Sequence, residues 1–353
     1  LAEVLQGAGF STAGFVGSSI LDAATGMDQG FQVYRDDMDS YYQRGVYQGA
    51  EVPLNWRLAL PFRGGYPIPA EDVVSSALKW LADYGKTPFF LFVHVYDPHS
   101  PYFPPAGYRR TFVTPGGDEI ERLRDLYDCE IYYADKQLQR LWRALERRPL
   151  RDNTLVVVTS DHGEGLGEHQ YLLHLLRVYE EELHVPLLMW GPGIPAEQVN
   201  EVVDLADLFP TLLELLGVPA PPNEGRSLVP LMQRQGGKLP RGFAYGQRMA
   251  VQYPIRSYLL DGIERAEPQA LGFVRSDKFK LLAPSSGAAT LFDLAADPDE
   301  TRDIAQQRPE LTRQYLRMLQ QPLEKPLPAL APAPRVLTPQ ERERLGALGY
   351  LGQ

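Results

Sequence analysis

The chain has 353 residues, of which 44% are hydrophobic and 23% are charged, and these values are ordinary for a globular protein. Its formal net charge of −10 argues against a nucleic-acid-binding protein, because phosphate contacts need clustered lysine and arginine. No stretch approaches the roughly 20 apolar residues of a membrane-spanning helix. A single cysteine excludes an internal disulfide bond and leaves the cellular compartment open.

Alternating apolar strands and amphipathic helices predict an α/β layered fold for the first two thirds of the chain. The predicted helices cover residues 1–8, 70–84, 118–146 and 208–216. The predicted strands cover residues 12–16, 88–95, 154–159 and 185–190, with another near Val202. Residues 31–67 are rich in tyrosine, arginine and glycine without a clear period, which favours a long loop.

The pattern changes after Leu231. Residues 232–242 predict a linker, and short alternating segments over 243–293 predict a small antiparallel sheet on which a helix over 309–319 would pack. Prolines between 322 and 334 favour an extended strap. The expected units are therefore a main α/β domain over 1–231, a C-terminal α+β subdomain over 243–320, and a proline-rich extended tail over 321–353.

An acid and an imidazole lie side by side where one predicted strand ends. Residues 159–164 (TSDHGE) follow the apolar run 155–158, and open sheets bind ligands beyond the carboxyl ends of their strands. The carboxylate of Asp161 beside the imidazole of His162 is a metal-binding pair that suits calcium, manganese or zinc. The alternative is that Asp161 caps a helix starting at Gly163, with His162 hydrogen-bonded at the strand end.

Histidines concentrate after this motif, since four of the six in the chain lie between residues 162 and 184. A further histidine, His99, follows the predicted strand 88–95 (PFFLFVHV) in the loop DPHSPYFPP. Prolines end that strand and stiffen the loop, so His99 is held as a catalytic acid or base would need to be. His94, inside the strand, fits a core position.

These segments together resemble the sulfatase family of the alkaline-phosphatase superfamily. TSDHGEGLGEH and the later YEEELHVPLLMWGPG resemble the family's metal-ligand turn and following strand, and DPHSPYFPP resembles its active-site histidine loop. The family has a helix after its main metal site, which residues 204–218 resemble. Residues 225–228 resemble the segment that follows this helix. Residues 274–282 and 291–300 resemble the C-terminal subdomain. The resemblance covers nearly the whole chain in the expected order.

The resemblance implies an alkaline-phosphatase-like mixed sheet sandwiched between helices, with a smaller C-terminal antiparallel-sheet subdomain. It implies that Asp161 and His162 bind one divalent metal, with Ca²⁺ favoured and Mn²⁺ or Zn²⁺ also compatible with an imidazole ligand. His99 would contact the bound anion and transfer a proton to the leaving oxygen. His174 matches a second catalytic histidine, and His169 is assigned to substrate binding.

Two family elements find no match in residues 1–353: an Asp-Asp metal pair, and a nucleophile that is a formylglycine formed from C-x-P-S-R, or a serine or threonine. Residues 1–16 resemble the family's helix and strand that come after the nucleophile. We therefore expect an N-terminally truncated copy that is inactive by itself, with the nucleophile and two metal ligands in a missing N-terminal segment.

Two internal replacements are weak. Asp36 and Asp37 form an acidic pair, but no buried strand precedes them in the pattern and their neighbours predict a solvated loop. Cys129 lies within a helical period, and no P-S-R follows it, which predicts a small buried thiol.

Three functions stay open. The leading one is metal-dependent hydrolysis of a small-molecule or carbohydrate sulfate ester. The second is a phosphodiester or phosphonate monoester hydrolase on the same fold, and the third is a non-catalytic pseudoenzyme. The family resemblance suggests a periplasmic or secreted protein, and the oligomeric state is left open.

Overall fold

The computed structural model describes residues 1–36, 68–84, 87–100, 102–147, 150–174, 177–233, 242–248, 256–259, 262–265 and 270–323. They fall into two compact units, one within Leu1–Asn153 and one within Thr154–Leu330. The predicted boundaries of the main domain at 231, of the C-terminal subdomain at 243 and of the tail at 321 stay predictions. Among the described residues, no helix combines the length and the apolar character needed to cross a membrane.

The first unit is built on a three-stranded parallel sheet. In chain order its described elements are α1 (Ala2–Gly7), β1 (Ser11–Val16), β2 (Val33–Arg35), α2 (Ala70–Tyr84), β3 (Phe89–His94) and α3 (Glu119–Glu146). The strand order is β2-β1-β3, with β1 buried in the middle. The predicted helices and strands of this part are confirmed to within two residues. β3 is half-buried, where the apolar run predicted a buried strand.

Helices α2 and α3 follow directly from their sequences. α2 buries a stripe of apolar side chains at helical spacing, from Ala70 and Val73 to Trp80. α3 begins with a capping box, in which the Asp118 side chain accepts from the Glu121 backbone N–H and the Glu121 side chain accepts from the Asp118 N–H. The predicted state of Cys129 is confirmed, since this thiol is fully buried on α3.

The acidic pair at Asp36 and Asp37 is only partly described. A short strand, β2, directly precedes Asp36 and pairs with β1. This strand was not predicted, because its three residues have half-buried to exposed side chains and show no alternating pattern. Asp36 Oδ2 accepts a hydrogen bond from the Ala23 N–H at 2.7 Å, which ties the end of β2 to a neighbouring turn. Asp37 and most of the predicted loop over 31–67 lie outside the described residues.

The described residues of the second unit form three sheets. A two-stranded antiparallel sheet joins β4 (Val156–Thr159) to β7 (Leu187–Trp190). A four-stranded sheet has the order β10 (Gly262–Arg265), β9 (Arg256–Leu259), β6 (Tyr171–Leu173), β5 (Gly165–Leu166). Another has the order β13 (Thr290–Asp293), β12 (Phe279–Pro284), β11 (Leu271–Ser276), β8 (Phe243–Arg248). The described helices are α4 (Glu180–Leu183), α5 (Leu208–Leu215), α6 (Val229–Met232) and α7 (Pro309–Leu323).

The predicted C-terminal antiparallel sheet is confirmed and has a core on each face. On one face, Tyr315 and Leu319 of α7 pack against Leu281 and its neighbours. On the other, Val178 packs against Leu282 and Phe292. Helix α7 runs to Leu323, past its predicted end at 319, so the first three residues of the predicted tail are helical; residues 324–353 lie outside the described part.

The strand predicted near Val202 is wrong. This residue lies in a segment without strand pairing, and its backbone N–H donates to Asp277 Oδ1 at 3.1 Å. Its side chain is buried, which explains the apolar signal without a sheet. The predicted helix over 208–216 is confirmed as α5.

A buried ion pair fixes the chain around α5. Arg226 Nη2 lies 2.9 Å from Asp207 Oδ2, and the Arg226 backbone N–H donates to Asp207 Oδ1 at 2.7 Å. Both side chains are largely removed from solvent, with exposed fractions of 12% and 2%. Asp207 also accepts the Asp204 N–H in a capping box, so this carboxylate satisfies donors from both ends of the segment.

We predict that Arg226→Ala lowers the free energy of unfolding by about 3 kcal/mol or more, because it leaves the buried Asp207 carboxylate without its cation. Urea denaturation followed by circular dichroism measures the change. The control is Arg313→Ala, which removes an exposed partner of Glu310 and should change stability little. Equal effects of the two substitutions would contradict the assignment.

Candidate functional site

The segment after β4 forms a tight turn that carries Asp161 and His162. No helix starts at Gly163, so the helix-capping alternative is wrong. Instead, the N–H groups of Gly163 and Glu164 donate to the carbonyls of Glu182 and Glu181 at 2.8 and 3.0 Å. A Cβ at residue 163 would lie 2.0 Å from the Glu181 oxygen, so only glycine permits this approach.

The two predicted ligand atoms of the turn are close enough for one ion. His162 Nδ1 lies 2.7 Å from the Gly163 carbonyl, which can only accept, so Nδ1 carries the proton and the lone pair is on Nε2. That Nε2 lies 3.9 Å from Asp161 Oδ1. Two ligand atoms on one ion are at most about 4.4 Å apart for Zn²⁺ and about 5.2 Å apart for Ca²⁺, so Asp161 and His162 fit a shared metal.

His174 lies against His162. The ring centroids are 4.1 Å apart, and Nδ1 of His174 is 2.8 Å from Oε1 of Glu164, a carboxylate with only 3% of its side chain exposed. Burial alone would lower the pKa of His174, but the hydrogen bond to Glu164 and the surrounding carboxylates raise the pKa above its ordinary value. A buried carboxylate on Nδ1 also fixes the ring orientation, a common arrangement beside metal sites.

His169 contacts protein groups through both ring nitrogens. Nδ1 is 2.7 Å from Glu181 Oε1, and Nε2 is 3.4 Å from the Glu300 carbonyl. The ring stacks on Tyr179 with centroids 3.7 Å apart and an interplanar angle of 3°. These contacts fix the position of the imidazole, and its predicted role in substrate binding stays a prediction.

The segment between His169 and His174 is strained. His169, Gln170 and Leu173 have φ values of 49°, 63° and 73°, a region that non-glycine residues seldom adopt. Such residues cost about 1–3 kcal/mol each and persist only where surrounding contacts hold them, most often at functional sites. Pairing of β6 with β5 and β9 supplies part of that support.

His99 lies in the first unit, on the loop after β3. Its Nδ1 is 2.6 Å from the Ser100 carbonyl, which places the lone pair on Nε2. The ring contacts Tyr96, with centroids 4.2 Å apart. The loop is held by the carboxylate of Glu130 on α3, which accepts the N–H of His99 at 3.3 Å and that of Phe103 at 2.5 Å.

Glu130 was missed in the sequence. Its side chain is buried. In the sequence it is a single acid beside Cys129 in a helical pattern, and such a pattern does not show which groups the acid binds. Asp97 accepts the N–H of Ala70 at 3.0 Å and so holds the start of α2. Burial raises the pKa of Asp97 to about 6, and burial together with the charge of Asp97 raises the pKa of Glu130 well above its ordinary value.

The structure therefore brings together Asp161, His162 and His174 in the second unit, with Glu164 bound to His174. His169 is anchored elsewhere in the same unit, and His99 is fixed on its own loop in the first. The sequence predicted these residue types and their order. It did not predict the contact between the His162 and His174 rings, or the buried acids Glu164 and Glu130 that hold His174 and the His99 loop.

The chain is similar to proteins of known families over most of its length. A family model described as Sulfatase matches residues 1–218, and one described as N-sulphoglucosamine sulphohydrolase, C-terminal, matches residues 167–326. Arylsulfatase K of Mus musculus is 35% identical over 201 residues, which cover 55% of this chain and 34% of the relative. Arylsulfatase K of Homo sapiens is 36% identical over 200 residues, covering 55% and 35%. The matched part is about one third of these relatives.

Solved structures share the fold over most of the chain. The phosphonate monoester hydrolase of Agrobacterium radiobacter has a TM-score of 0.69 at 21% identity, covering 91% of this chain and 79% of that one. A protein in complex with its substrate D-glucosamine-2-N,6-O-disulfate has a TM-score of 0.66 at 18% identity, covering 92% and 81%. The predicted alkaline-phosphatase-like α/β fold with a small C-terminal antiparallel sheet is confirmed.

We predict a pH signature from Asp97. Because its folded pKa is raised to about 6 from 3.8, the folded state holds this proton more tightly, and the associated stability is present below pH 4 and lost as the pH rises through 6. Asp97→Asn cannot ionise and keeps an acceptor for Ala70, so its unfolding free energy should rise relative to wild type by about 2 kcal/mol between pH 4 and 7.

Urea unfolding of both proteins at pH 4, 5, 6 and 7 gives this difference. Asp97→Asn also removes the negative charge that helps raise the pKa of Glu130, and this relief acts in the same direction. Asp83→Asn, an exposed change on α2, controls for the lost charge. A difference between Asp97→Asn and wild type that stays constant with pH would contradict the raised pKa.

Proposed function

This chain belongs to the sulfatase family, and we propose that it is the part of a metal-dependent sulfate ester hydrolase that supplies two metal ligands and the histidines around the bound anion. The observation that carries the proposal is the arrangement after β4: Asp161, His162 and a carboxylate-bound His174 at the end of a strand. Ligands of open α/β folds bind in this position.

Membership in the sulfatase family implies a divalent metal. Asp161 Oδ1 and His162 Nε2 would hold it, and we propose Ca²⁺, with Mn²⁺ or Zn²⁺ as alternatives compatible with the imidazole. Such an ion, when bound, offsets the negative charge on the nonbridging oxygens of the ester. The Gly163 carbonyl keeps the His162 proton on Nδ1, so the nitrogen nearer Asp161 is the one that can coordinate.

The two catalytic histidines have separate proposed roles. Glu164 holds Nδ1 of His174, which leaves Nε2 as the atom that donates a hydrogen bond to a sulfate oxygen when the ring is protonated. His99 would exchange a proton with the leaving oxygen through Nε2, because its Nδ1 is bonded to Ser100. Catalysis also needs the nucleophile and the Asp pair that the family resemblance implies, and residues 1–353 contain no matching motif.

The proposed substrate is a sulfate ester of a carbohydrate or another small molecule. A structural neighbour was solved with a disulfated glucosamine as its substrate, and the curated relatives are named arylsulfatases. We also propose a periplasmic or secreted location, on family grounds alone. The second candidate, phosphonate monoester hydrolysis, is supported by the structural likeness to the Agrobacterium radiobacter enzyme.

Metal binding tests the turn directly. We predict that titration calorimetry of the 353-residue chain with Ca²⁺, Mn²⁺ and Zn²⁺ detects one site, and that Asp161→Asn or His162→Ala weakens it at least about tenfold by removing a ligand. The control is Glu168→Gln, a nearby exposed carboxylate that is not a predicted ligand. Unchanged affinity in both ligand variants would rule out this site.

Turnover tests the reaction. With the intact natural gene product, p-nitrophenyl sulfate should be hydrolysed faster than p-nitrophenyl phosphate or a phosphonate monoester, and His99→Ala should lower kcat/KM by about 10²- to 10⁴-fold. His184→Gln, an exposed histidine outside the site, is the control. Faster phosphonate hydrolysis would favour the second candidate, and no turnover of any ester would favour a pseudoenzyme.

A further inference from the structure

A lysine with no exposed surface joins the C-terminal sheet to α4. Lys280 Nζ on β12 lies 3.1 Å from Glu180 Oε1 and 3.0 Å from Glu300 Oε1. Glu180 Oε2 also accepts from Arg275 on β11 at 3.2 Å. We call these four residues the Lys280 cluster. Strand alternation puts Lys280 on the same face as Leu282, the face that packs against Val178.

The charges of the cluster are matched inside the protein. Burial would raise the pKa of Glu180, but Lys280 and Arg275 outweigh it and hold the pKa of Glu180 below its ordinary value. For Glu300, burial prevails over Lys280 and raises the pKa. A buried ion pair adds little net stability compared with apolar packing, so its effect is mainly to fix one arrangement of the groups it joins.

The cluster leads through hydrogen bonds to the candidate metal turn, residues 161–164. Glu300 Oε2 accepts the backbone N–H of Glu180 at 2.6 Å, which holds the first residue of α4. The next two residues of α4, Glu181 and Glu182, supply the carbonyls that accept from Glu164 and Gly163. The backbone that positions His162 is therefore bonded to a helix that the cluster fixes.

A second connection runs through His169. Its imidazole joins the Glu181 side chain to the Glu300 carbonyl and stacks on Tyr179, the residue just before α4. Glu300 itself has a φ of 49°. A glutamate in the left-handed region is held there by its contacts. Here the side chain accepts the N–H of the first residue of α4, and the carbonyl lies against His169, whose other ring nitrogen contacts Glu181.

We propose that Lys280 is a positioning residue for the candidate metal turn: by binding Glu180 and Glu300 it fixes α4, and α4 fixes the backbone of Gly163 and Glu164. The proposal rests on the proposed function only where it calls this turn a metal site. It gives the C-terminal sheet a role in positioning the site.

The test is hydrogen–deuterium exchange of the 353-residue chain followed by mass spectrometry. Lys280→Met should speed exchange at Gly163 and Glu164 at least about tenfold, because their acceptors are no longer held, while exchange in α5 changes little. The matched control is Lys278→Met, the same substitution at a half-exposed residue two positions away whose Nζ lies 3.8 Å from Asp293.

A charge-balanced variant guards against misfolding. Lys280→Met with Glu300→Gln removes one charge of each sign and leaves Glu180 paired with Arg275, so it should fold even if Lys280→Met does not. Faster exchange of the turn in this variant supports the proposal. Exchange equal to wild type in a folded variant lacking Lys280 overturns it.

Calcium titration of the same proteins separates this inference from the proposed function. Weaker Ca²⁺ binding together with faster exchange supports both. Faster exchange in a chain whose wild-type form binds no cation supports the positioning role and contradicts the metal site. Faster exchange with unchanged Ca²⁺ affinity supports positioning of the Gly163 and Glu164 backbone and contradicts the metal site at this turn.

Discussion

The contact between the turn after β4 and the backbone of α4 is the constraint from which the site of the second unit follows. Gly163 approaches Glu181 so closely that no side chain fits, and two N–H···O bonds lock the turn to α4. With this backbone fixed, the His162 proton is held on Nδ1, Asp161 lies beside Nε2, and Glu164 reaches Nδ1 of His174. Each later feature of the site depends on that approach.

In the first unit, backbone N–H groups of a loop are also held by buried acceptors, which here are side-chain carboxylates. Glu130 and Asp97 are buried acids whose oxygens accept backbone N–H groups from the His99 loop and from the start of α2. Burying a carboxylate is costly, and here the cost is offset by donors that would otherwise be unsatisfied. In both units the histidines are held on irregular backbone, and buried acceptors give that backbone its rigidity.

How far the sequence predicts this structure depends on the length of each pattern. Helix α2 was predicted to the residue because its apolar stripe spans four turns. Strands β5 and β6 were not, since they have two and three residues. Strands β9 and β10 lie within the predicted antiparallel segment 243–293, but the pairing of β9 with β6, more than 80 residues away, was not predicted. Asp161, His162 and His99 were found from local motifs at strand ends. Glu130 and Lys280 were not interpretable, because a charged residue in an apolar pattern does not reveal the distant partner that makes its burial tolerable.

The buried thiol of Cys129 has a consequence for metal chemistry. It is the only cysteine of the chain, it has no solvent exposure, and its sulfur faces the Phe112 carbonyl at 3.8 Å. Thiolate ligation is therefore closed to the folded chain while Cys129 stays buried. An ion that binds through a thiolate would therefore report exposure of Cys129 and opening of α3.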